Sequence, residues 1–403
     1  MKYLVILGDG MADYPVPELN GKTPLQVSKK PHMDHIAGRG ELGLAKTIPP
    51  GFPPGSDVAN LSVMGYDPRV YYTGRSPLEA ASMGIDLQPA DVAFRCNLVT
   101  LSAEPEYESK VMVDYSSDEI TTPESGELLR DIAAALNSEK FSFYPGISYR
   151  HLLIWHGGPI DTKLTPPHDI SDRPVTPFLP QGNGSAELLS LMKQSVDILA
   201  NHPVNRERIR KGLRPATSIW LWGQGRKPAI KSFTEKYGLC GSVISAVDLA
   251  KGLGVCAGLE VINVPGATGN VHTNFKGKAE AALKAFQADR DFVYLHIEAP
   301  DEAGHRGELE NKIKAIEKID GDILGFLLAE LPEVTEDFKI MLLPDHPTPL
   351  TIRTHAADPV PFVIYQHSKA KGSVWRTFDE ETAAKTGLFI DDGFLLMDRF
   401  IGK

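Results

Sequence analysis

Three short apolar segments, each of which gives way to glycine, proline and acidic residues, constrain the fold of this chain more than any other feature. They cover residues 2–7, 292–297 and 338–343. Short apolar runs with turn residues after them are typical of buried parallel strands. Helix-like segments alternate with strand-like ones along the chain, so the sequence predicts an α/β protein with a doubly wound sheet.

Length, composition and charge limit the class of protein. The 403 residues are 42% hydrophobic and 23% charged, which predicts a globular protein of two or three domains. The 42 Lys and Arg against 52 Asp and Glu give a net charge of −10. This charge argues against nucleic acid or an anionic membrane as the main partner. An anionic substrate would therefore need a local cluster of Arg, Lys or metal.

Cysteine usage and the N-terminus indicate the compartment. The three cysteines, Cys96, Cys240 and Cys256, are odd in number and show no CxxC spacing, which favours a reducing environment. The N-terminal apolar run, Tyr3 to Leu7, is too short for a signal peptide, and no other apolar stretch is long enough to span a bilayer. We therefore expect a cytoplasmic protein.

Acidic and imidazole side chains follow the three predicted strands. Asp9 follows the first, Asp301 with His305 the second, and Asp345 with His346 the third. In an open α/β sheet the carboxyl ends of the strands hold the ligand-binding residues. A carboxylate and an imidazole four residues apart share one face of a helix, and divalent metals accept that pair. Taken alone, any one of these is explained better by a solvent-exposed turn or helix start.

A proline-rich loop, residues 48–55, delivers Ser56 to the start of a predicted helix. The serine could cap that helix, or it could be a nucleophile beside the helix dipole and free backbone amides. No GxSxG motif surrounds it, which disfavours a hydrolase triad. Together with His355, the carboxylates and imidazoles exceed what one metal needs, and they suit two divalent ions that share a serine and a phosphoryl group. His296 lies within a predicted strand and is predicted to be a packed core residue. Four other histidines are expected at the surface: His32, His35, His202 and His367.

The middle of the chain has its own alternation of strands and helices, which predicts a second α/β domain placed inside the first. Arg150, His168 and Arg226 are candidates there for contacts with an anion, although ordinary surface charge explains them equally well.

These residues carry a resemblance to the alkaline phosphatase superfamily, and in particular to the archaeal-type 2,3-bisphosphoglycerate-independent phosphoglycerate mutases. The ligand-bearing motifs are GDG at 8–10, PPGSDVANL at 53–61, APDEAGH at 299–305, PDH at 344–346 and His355 ahead of DPVPF at 358–362. Supporting segments are TGRSPLEAASMGIDL at 73–87, VAFRCNLVTL at 92–101, YRHLLIWHGGP at 149–159, LTPPHDI at 164–170 and VPGATG at 264–269. The similarity extends over the whole chain.

The resemblance implies a two-metal site and a phosphoserine. One ion would be surrounded by Asp9, Ser56, Asp345 and His346, and the other by Asp301, His305 and His355. Ser56 would be the nucleophile. Manganese is the implied ion, with zinc, cobalt or magnesium as alternatives, and no bisphosphoglycerate is required.

The resemblance also implies two domains with different roles. Residues 1–90 and 230–403 would form an alkaline-phosphatase-like, metal-binding domain, and residues 91–229 an inserted smaller α/β domain that binds substrate and acts as a lid. Matches to substrate-side positions are Arg150, His168, Asp169, Arg226 and Lys251. The sequence departs from the family pattern at Trp222, Gln224 and Trp155-His156. These departures affect the expected identity of the substrate and not the expected chemistry.

The implied reaction interconverts 3-phosphoglycerate and 2-phosphoglycerate in glycolysis and gluconeogenesis, with a small phosphorylated hydroxy acid as the partner and neither nucleic acid nor membrane. Two alternatives remain open at this point. One is another phosphoryl-transfer enzyme on the same core, either a phosphomonoesterase or a homoserine-kinase-like phosphotransferase. The other is a non-catalytic, metal-dependent sensor of phosphorylated ligands, although a sensor would not need Ser56.

Overall fold

The computed structural model describes residues 1–370 and 374–403. Its strands, in chain order, are β1 Lys2–Gly8, β2 Glu41–Ala45, β3 Val92–Leu101, β4 Met112–Asp114, β5 Phe141–Ile147, β6 Arg150–Trp155, β7 Ser218–Gly225, β8 Gly241–Ile244, β9 Glu260–Ile262, β10 Phe292–Ile297, β11 Phe338–Leu343, β12 Val360–Gln366 and β13 Phe389–Ile390.

The α-helices are α1 Pro24–Val27, α2 Pro31–Ala37, α3 Ser56–Val63, α4 Pro68–Tyr71, α5 Ser76–Ser82, α6 Thr122–Leu136, α7 Ser185–Ala200, α8 Pro203–Arg210, α9 Phe233–Tyr237, α10 Asp248–Cys256, α11 Phe275–Gln287, α12 Ala299–Arg306, α13 Leu309–Lys318, α14 Phe326–Glu330, α15 Glu380–Lys385 and α16 Leu395–Ile401. A π-helix, Ile319–Gly325, joins α13 to α14. Short 3₁₀ turns lie at Pro17–Leu19, Tyr107–Ser109, Pro167–Ile170, Thr176–Phe178, Leu331–Glu333 and His367–Lys369.

The chain forms two compact units, residues 1–72 with 229–403, and residues 73–228. The first boundary lies earlier in the chain than the predicted one at residue 90. Helix α5 is the reason, because its Glu79 carboxylate pairs with Arg95 on β3 at 2.5 Å and so belongs with the second unit.

The first unit is built on an eight-stranded sheet with the order β13-β2-β12-β11-β1-β10-β8-β9. Strand β1 lies between β10 and β11 and runs parallel to both. One sheet face packs on α2, α11 and the π-helix through residues such as Leu4, Leu295 and Leu342. On the other face the Tyr294 hydroxyl contacts Asn60 of α3. Helices therefore cover both faces, which confirms the predicted doubly wound α/β fold.

The second unit contains an antiparallel sheet with the order β5-β6-β3-β7, and β4 pairs with the end of β3. Apolar residues of α6 and α7, including Leu128 and Leu188, pack against its strands in a separate core. The prediction of a smaller inserted α/β domain is confirmed.

The sheet register of the first unit brings the predicted site residues to one edge. Leu7 of β1 pairs with His296 of β10 on one side and with Leu343 of β11 on the other. Because the three strands are parallel, the segments that follow them leave the sheet at the same edge. Within the part of the chain that the structure describes, no helix is long and apolar enough to cross a membrane.

Candidate metal centre

Two buried aspartates, Asp9 and Asp345, lie side by side just after β1 and β11. The Asp345 Oδ1 atom accepts hydrogen bonds from the backbone N–H groups of Gly10, at 3.1 Å, and His346, at 2.9 Å. Gly10 has a φ of +59°, and a Cβ there would lie 2.6 Å from the Asp301 carboxylate. Glycine is needed at this position because a side chain would collide with the cluster.

Ser56 is the first residue of α3, and Gly55 occupies the N-cap position. The Ser56 hydroxyl makes no capping hydrogen bond. Its Oγ lies 3.1 Å from His346 Nε2 and 3.5 Å from Asp9 Oδ2. The structure therefore places the hydroxyl within the cluster of acids and imidazoles, and it excludes the helix-cap interpretation.

The first group of potential ligands is Asp9, Asp345 and His346, whose ligand atoms all lie within 4.8 Å of one another. The Asp9 Oδ1 atom is buried and has no hydrogen-bond partner. Burial, followed by the nearby Asp345 and Asp301 carboxylates, raises the pKa of Asp9 well above its usual range. A buried, unpaired carboxylate oxygen among like charges is costly unless a cation offsets it. The site therefore fits a divalent metal.

The second group is Asp301, His346 and His355, again within 4.8 Å. The Nε2 atom of His305 lies 3.3 Å from Asp301 Oδ2 and 2.8 Å from His355 Nε2. Burial alone would raise the pKa of Asp301, but the His305 and His355 imidazoles outweigh burial and hold it well below its usual range. The hydrogen bond to Asp301 raises the pKa of His305 to about 9.

The structure thus brings together all seven residues predicted as metal ligands: Asp9, Ser56, Asp301, His305, Asp345, His346 and His355. It does not separate them into the two predicted sets, because His346 belongs to both groups. Sequence reasoning missed Glu298, whose carboxylate forms a third group with Asp9 and Asp301. Glu298 directly precedes the motif that carries Asp301, so its position in the sequence could have identified it as a further candidate ligand.

The residues predicted for the substrate side come from both units. Arg150, His168, Asp169 and Arg226 belong to the second unit, whereas Lys251 lies on α10 of the first. The His168 ring packs edge-on against Trp222, with ring centroids 5.2 Å apart. The Arg226 guanidinium donates to the Gly158 carbonyl at 3.2 Å, and its buried Nε has no partner.

The second unit contains a cationic cluster of which the sequence predicted only Arg150. The Arg95 guanidinium lies over the Trp222 ring, 4.8 Å from its centroid, and pairs with Glu79. Arg75 also pairs with Glu79, at 3.2 Å. Desolvation alone would raise the pKa of the half-buried Glu79, but Arg95, Arg75 and, more weakly, Arg150 outweigh it and lower that pKa. Arg95 is a charged residue within the apolar run of β3, and this position could have identified it as a candidate from the sequence.

Two further histidines, His296 and His202, are buried and contact aspartates. His296 is buried, as predicted for a core residue, but its Nε2 also lies 3.0 Å from Asp9 Oδ2, and burial lowers its pKa to about 4. The surface prediction for His202 is wrong. His202 is buried because its Nδ1 caps α8 by accepting from Val204 N–H, while Nε2 contacts Asp131 at 2.9 Å.

Known proteins resemble the chain over its full length. Residues 37–205 match the model of a family described as 2,3-bisphosphoglycerate-independent phosphoglycerate mutase. A probable 2,3-bisphosphoglycerate-independent phosphoglycerate mutase of Geobacter sulfurreducens is 53% identical over 403 residues, which cover 100% of both chains. The 2,3-bisphosphoglycerate-independent phosphoglycerate mutase of Methanosarcina barkeri is 52% identical over 389 residues and 96% of both chains.

Solved structures also resemble the chain over its full length. A protein of Pyrococcus horikoshii has a TM-score of 0.82 and 30% identity, with 100% of this chain and 97% of that chain covered. A cofactor-independent phosphoglycerate mutase of Thermoplasma acidophilum has a TM-score of 0.65 and 28% identity, with 100% and 99% covered.

The fold and the cluster define an α/β protein with a carboxylate–imidazole site of the kind that binds divalent metals. The comparisons are more specific. The chain belongs to the 2,3-bisphosphoglycerate-independent phosphoglycerate mutase family, which confirms the predicted family and enzyme class, an isomerase.

Proposed function

We propose that this protein interconverts 3-phosphoglycerate and 2-phosphoglycerate through a phosphoserine at Ser56, without a bisphosphoglycerate cofactor. One observation carries this proposal: the Ser56 hydroxyl lies 3.1 Å from His346 Nε2 and 3.5 Å from Asp9 Oδ2, inside the carboxylate–imidazole cluster. The names of the relatives that cover the whole chain support the same substrate.

Two divalent ions complete the proposed site. Asp9, Ser56, Asp345 and His346 would hold one ion, and Asp301, His305 and His355 the other, with Mn²⁺ favoured over Zn²⁺, Co²⁺ or Mg²⁺. The mixed oxygen and nitrogen donors and the unpaired Asp9 Oδ1 support this assignment. When bound, such ions offset the negative charge of a phosphoryl group during its transfer.

Ser56 supplies the covalent step. Its Oγ loses the hydroxyl proton and forms a bond to phosphorus, while the ester oxygen of the substrate leaves and takes up a proton. The second transfer reverses these changes at the other glycerate hydroxyl, so no proton or phosphate is gained or lost overall. Ser56 begins α3, and the N–H groups of the first helical turn favour negative charge on the phosphate oxygens.

We assign substrate binding to the cationic residues of the second unit and to Lys251. Arg150 and Arg226 suit the carboxylate and phosphate of a phosphorylated hydroxy acid, because a guanidinium can donate two hydrogen bonds to one anionic group. The buried Arg226 Nε without a partner supports this role. His168 and Asp169 lie at 3.7 Å from each other in the same unit.

Turnover of 3-phosphoglycerate in an assay coupled to enolase, with no bisphosphoglycerate added, tests the proposal. Protein treated with a chelator should be inactive, and Mn²⁺ should restore the rate because the cluster cannot stabilise a phosphoryl group by itself. Full activity of protein shown by elemental analysis to be metal-free would refute the two-metal site. Release of inorganic phosphate as the main product would instead identify a phosphomonoesterase.

A further inference from the structure

Strand β10 presents two polar side chains to the site, although neither belongs to the ligand groups described above. Tyr294 and His296 are two residues apart, so they project from the same face of the sheet. Both are fully buried. Each of them holds one of the two aspartates that follow β1 and β11. His296 contacts Asp9 directly. Tyr294 contacts Asn60, which in turn donates to Asp345.

The contacts of His296 fix the direction of each hydrogen bond. The Ser245 Oγ accepts from Val247 N–H at 2.9 Å, so its own proton is free to be donated to His296 Nδ1, 3.1 Å away. An imidazole that accepts at Nδ1 carries its proton on Nε2. Nε2–H then donates to Asp9 Oδ2 at 3.0 Å. This leaves Asp9 Oδ1, the atom without a hydrogen-bond partner, 3.6 Å from Nε2 of the potential ligand His346.

Tyr294 acts on Asp345 through an amide. Its hydroxyl donates to Asn60 Oδ1 at 2.7 Å, which sets the orientation of the Asn60 amide group. The Asn60 Nδ2 group therefore donates both to Asp345 Oδ2, at 3.0 Å, and to the Ser56 carbonyl, at 2.9 Å. One hydroxyl thus fixes a carboxylate and the helical turn that carries the serine.

We propose that Tyr294 and His296 are positioning residues, which hold Asp9, Asp345 and Ser56 in the orientation that binds a divalent metal. The proposal rests on the proposed two-metal function. Side chains that orient a metal ligand typically change metal affinity by about 10–100-fold when they are replaced. A role in packing alone would lower the stability of the metal-free protein and leave metal affinity unchanged.

Tyr294→Phe is the sharpest test, since it removes one hydroxyl and keeps the ring. Mn²⁺ affinity should be measured by calorimetric titration of metal-free protein, together with thermal unfolding without metal. We expect the affinity of at least one site to fall by about tenfold or more. Tyr66→Phe is the matched control, because Tyr66 is also buried in the first unit and its hydroxyl donates to the Lys231 carbonyl at 2.7 Å. Tyr66→Phe should leave Mn²⁺ affinity unchanged.

His296→Gln and His296→Leu test the other aspartate. The Gln amide nitrogen can take the place of Nε2 as a donor, whereas Leu offers no donor. We expect Leu to weaken Mn²⁺ binding by about 10–100-fold and Gln to restore part of that loss. Ser245→Ala should weaken Mn²⁺ binding less than His296→Leu does. It removes the hydrogen bond that fixes the tautomer of His296, but the imidazole that donates to Asp9 remains. Ser242→Ala is its control, because Ser242 lies on β8, which ends just before Ser245, and its buried hydroxyl has no hydrogen-bond partner.

The outcomes separate the two proposals. If the wild-type protein binds no Mn²⁺ and turns over without it, the two-metal function fails and this inference fails with it. If the wild-type protein binds Mn²⁺ but Tyr294→Phe and His296→Leu bind it equally well, only the positioning role is overturned. Equal loss of affinity in His296→Gln and His296→Leu would also count against it, because the donated hydrogen bond would then have no effect.

Discussion

At the scale of single residues, the proposed nucleophile Ser56 has only a small structural role. It occupies the first helical position of α3 and makes no capping hydrogen bond. Its hydroxyl instead faces His346 and Asp9. Alanine at this position keeps good helix propensity, so its effect on the free energy of unfolding should be small, about 0.5 kcal/mol or less.

Ser56→Ala should therefore separate catalysis from folding. We expect turnover of 3-phosphoglycerate to fall by several orders of magnitude, because the covalent route is lost. Rapid quenching of the wild-type reaction, followed by peptide mass spectrometry, should find phosphate on Ser56. Ser62→Ala, a buried serine of the same helix, is the control and should keep activity. Near-normal turnover of Ser56→Ala would rule out the phosphoserine.

The sequence predicts the site residues that directly follow a strand. It does not predict side chains whose role depends on contacts between elements that are distant in the sequence. Asp9, Asp301 and Asp345 each stand next to a turn after an apolar run, and that pattern placed them at one sheet edge. Tyr294 and Asn60 meet only because β10 and α3 pack together. Nothing in the local sequence of either residue records that contact.

At the scale of elements, α13 ties together the two loops that carry the potential ligands. Its Lys312 ammonium is fully buried and donates to Asp13 Oδ2 at 2.6 Å, to the Ala12 carbonyl at 3.2 Å and to the Thr348 carbonyl at 2.8 Å. The Thr348 hydroxyl in turn donates to Asp301 Oδ1. Through Lys312, α13 thus holds the segment after β1 and the segment after β11 together.

Lys312→Met should destabilise the metal-free protein by about 3–5 kcal/mol, since it leaves Asp13 buried without its partner. The second substitution in Lys312→Met/Asp13→Asn should recover part of this loss, because no lone charge remains. Urea unfolding followed by circular dichroism gives both values. Lys318→Met removes an exposed ion pair with Asp322 and should cost less than about 1 kcal/mol. An equal cost for Lys312→Met and Lys318→Met would contradict the role of the buried pair.

The segment from α13 to α14 is helical throughout, but it is not one regular α-helix. The sequence of residues 312–331 predicts one long helix, and the structure interrupts it with the π-helix Ile319–Gly325. Asp320 in that segment accepts from Met33 N–H at 2.7 Å and so satisfies a free backbone donor at the start of α2. This contact joins residues that are far apart in sequence, and helical periodicity carries no information about it.

At the scale of the whole molecule, the two units differ in what the sequence reveals about them. The strands of the first unit end in recognisable polar motifs, so its fold and its cluster could both be predicted. The strands of the second unit are not followed by paired acid and imidazole motifs of this kind, and its cationic cluster depends on pairing between α5 and β3. For the same reason the predicted boundary at residue 90 lies within this unit, after α5.

A phosphoserine exposed to water would be hydrolysed, so a mutase must keep its phosphoryl group from water while glycerate changes position. The ligand set alone does not provide this, since a phosphatase could use the same residues. We assign the protection to substrate binding by the second unit, with Arg226 as the residue to test because its buried Nε lacks a partner. Binding of the substrate anion would offset the cost of burying that charge.

Arg226→Ala should therefore lower the mutase rate by one or more orders of magnitude and raise the share of phosphate lost to water. Both follow from weaker retention of glycerate beside the phosphoserine. Inorganic phosphate and 2-phosphoglycerate, measured in one reaction, give the ratio directly. Arg173→Ala, in the same unit and stacked on Phe178 at 4.4 Å, is the matched control and should leave the ratio unchanged. If Arg226→Ala lowers both products in equal proportion, Arg226 binds substrate without protecting the phosphoserine, and the barrier to water lies elsewhere in the chain.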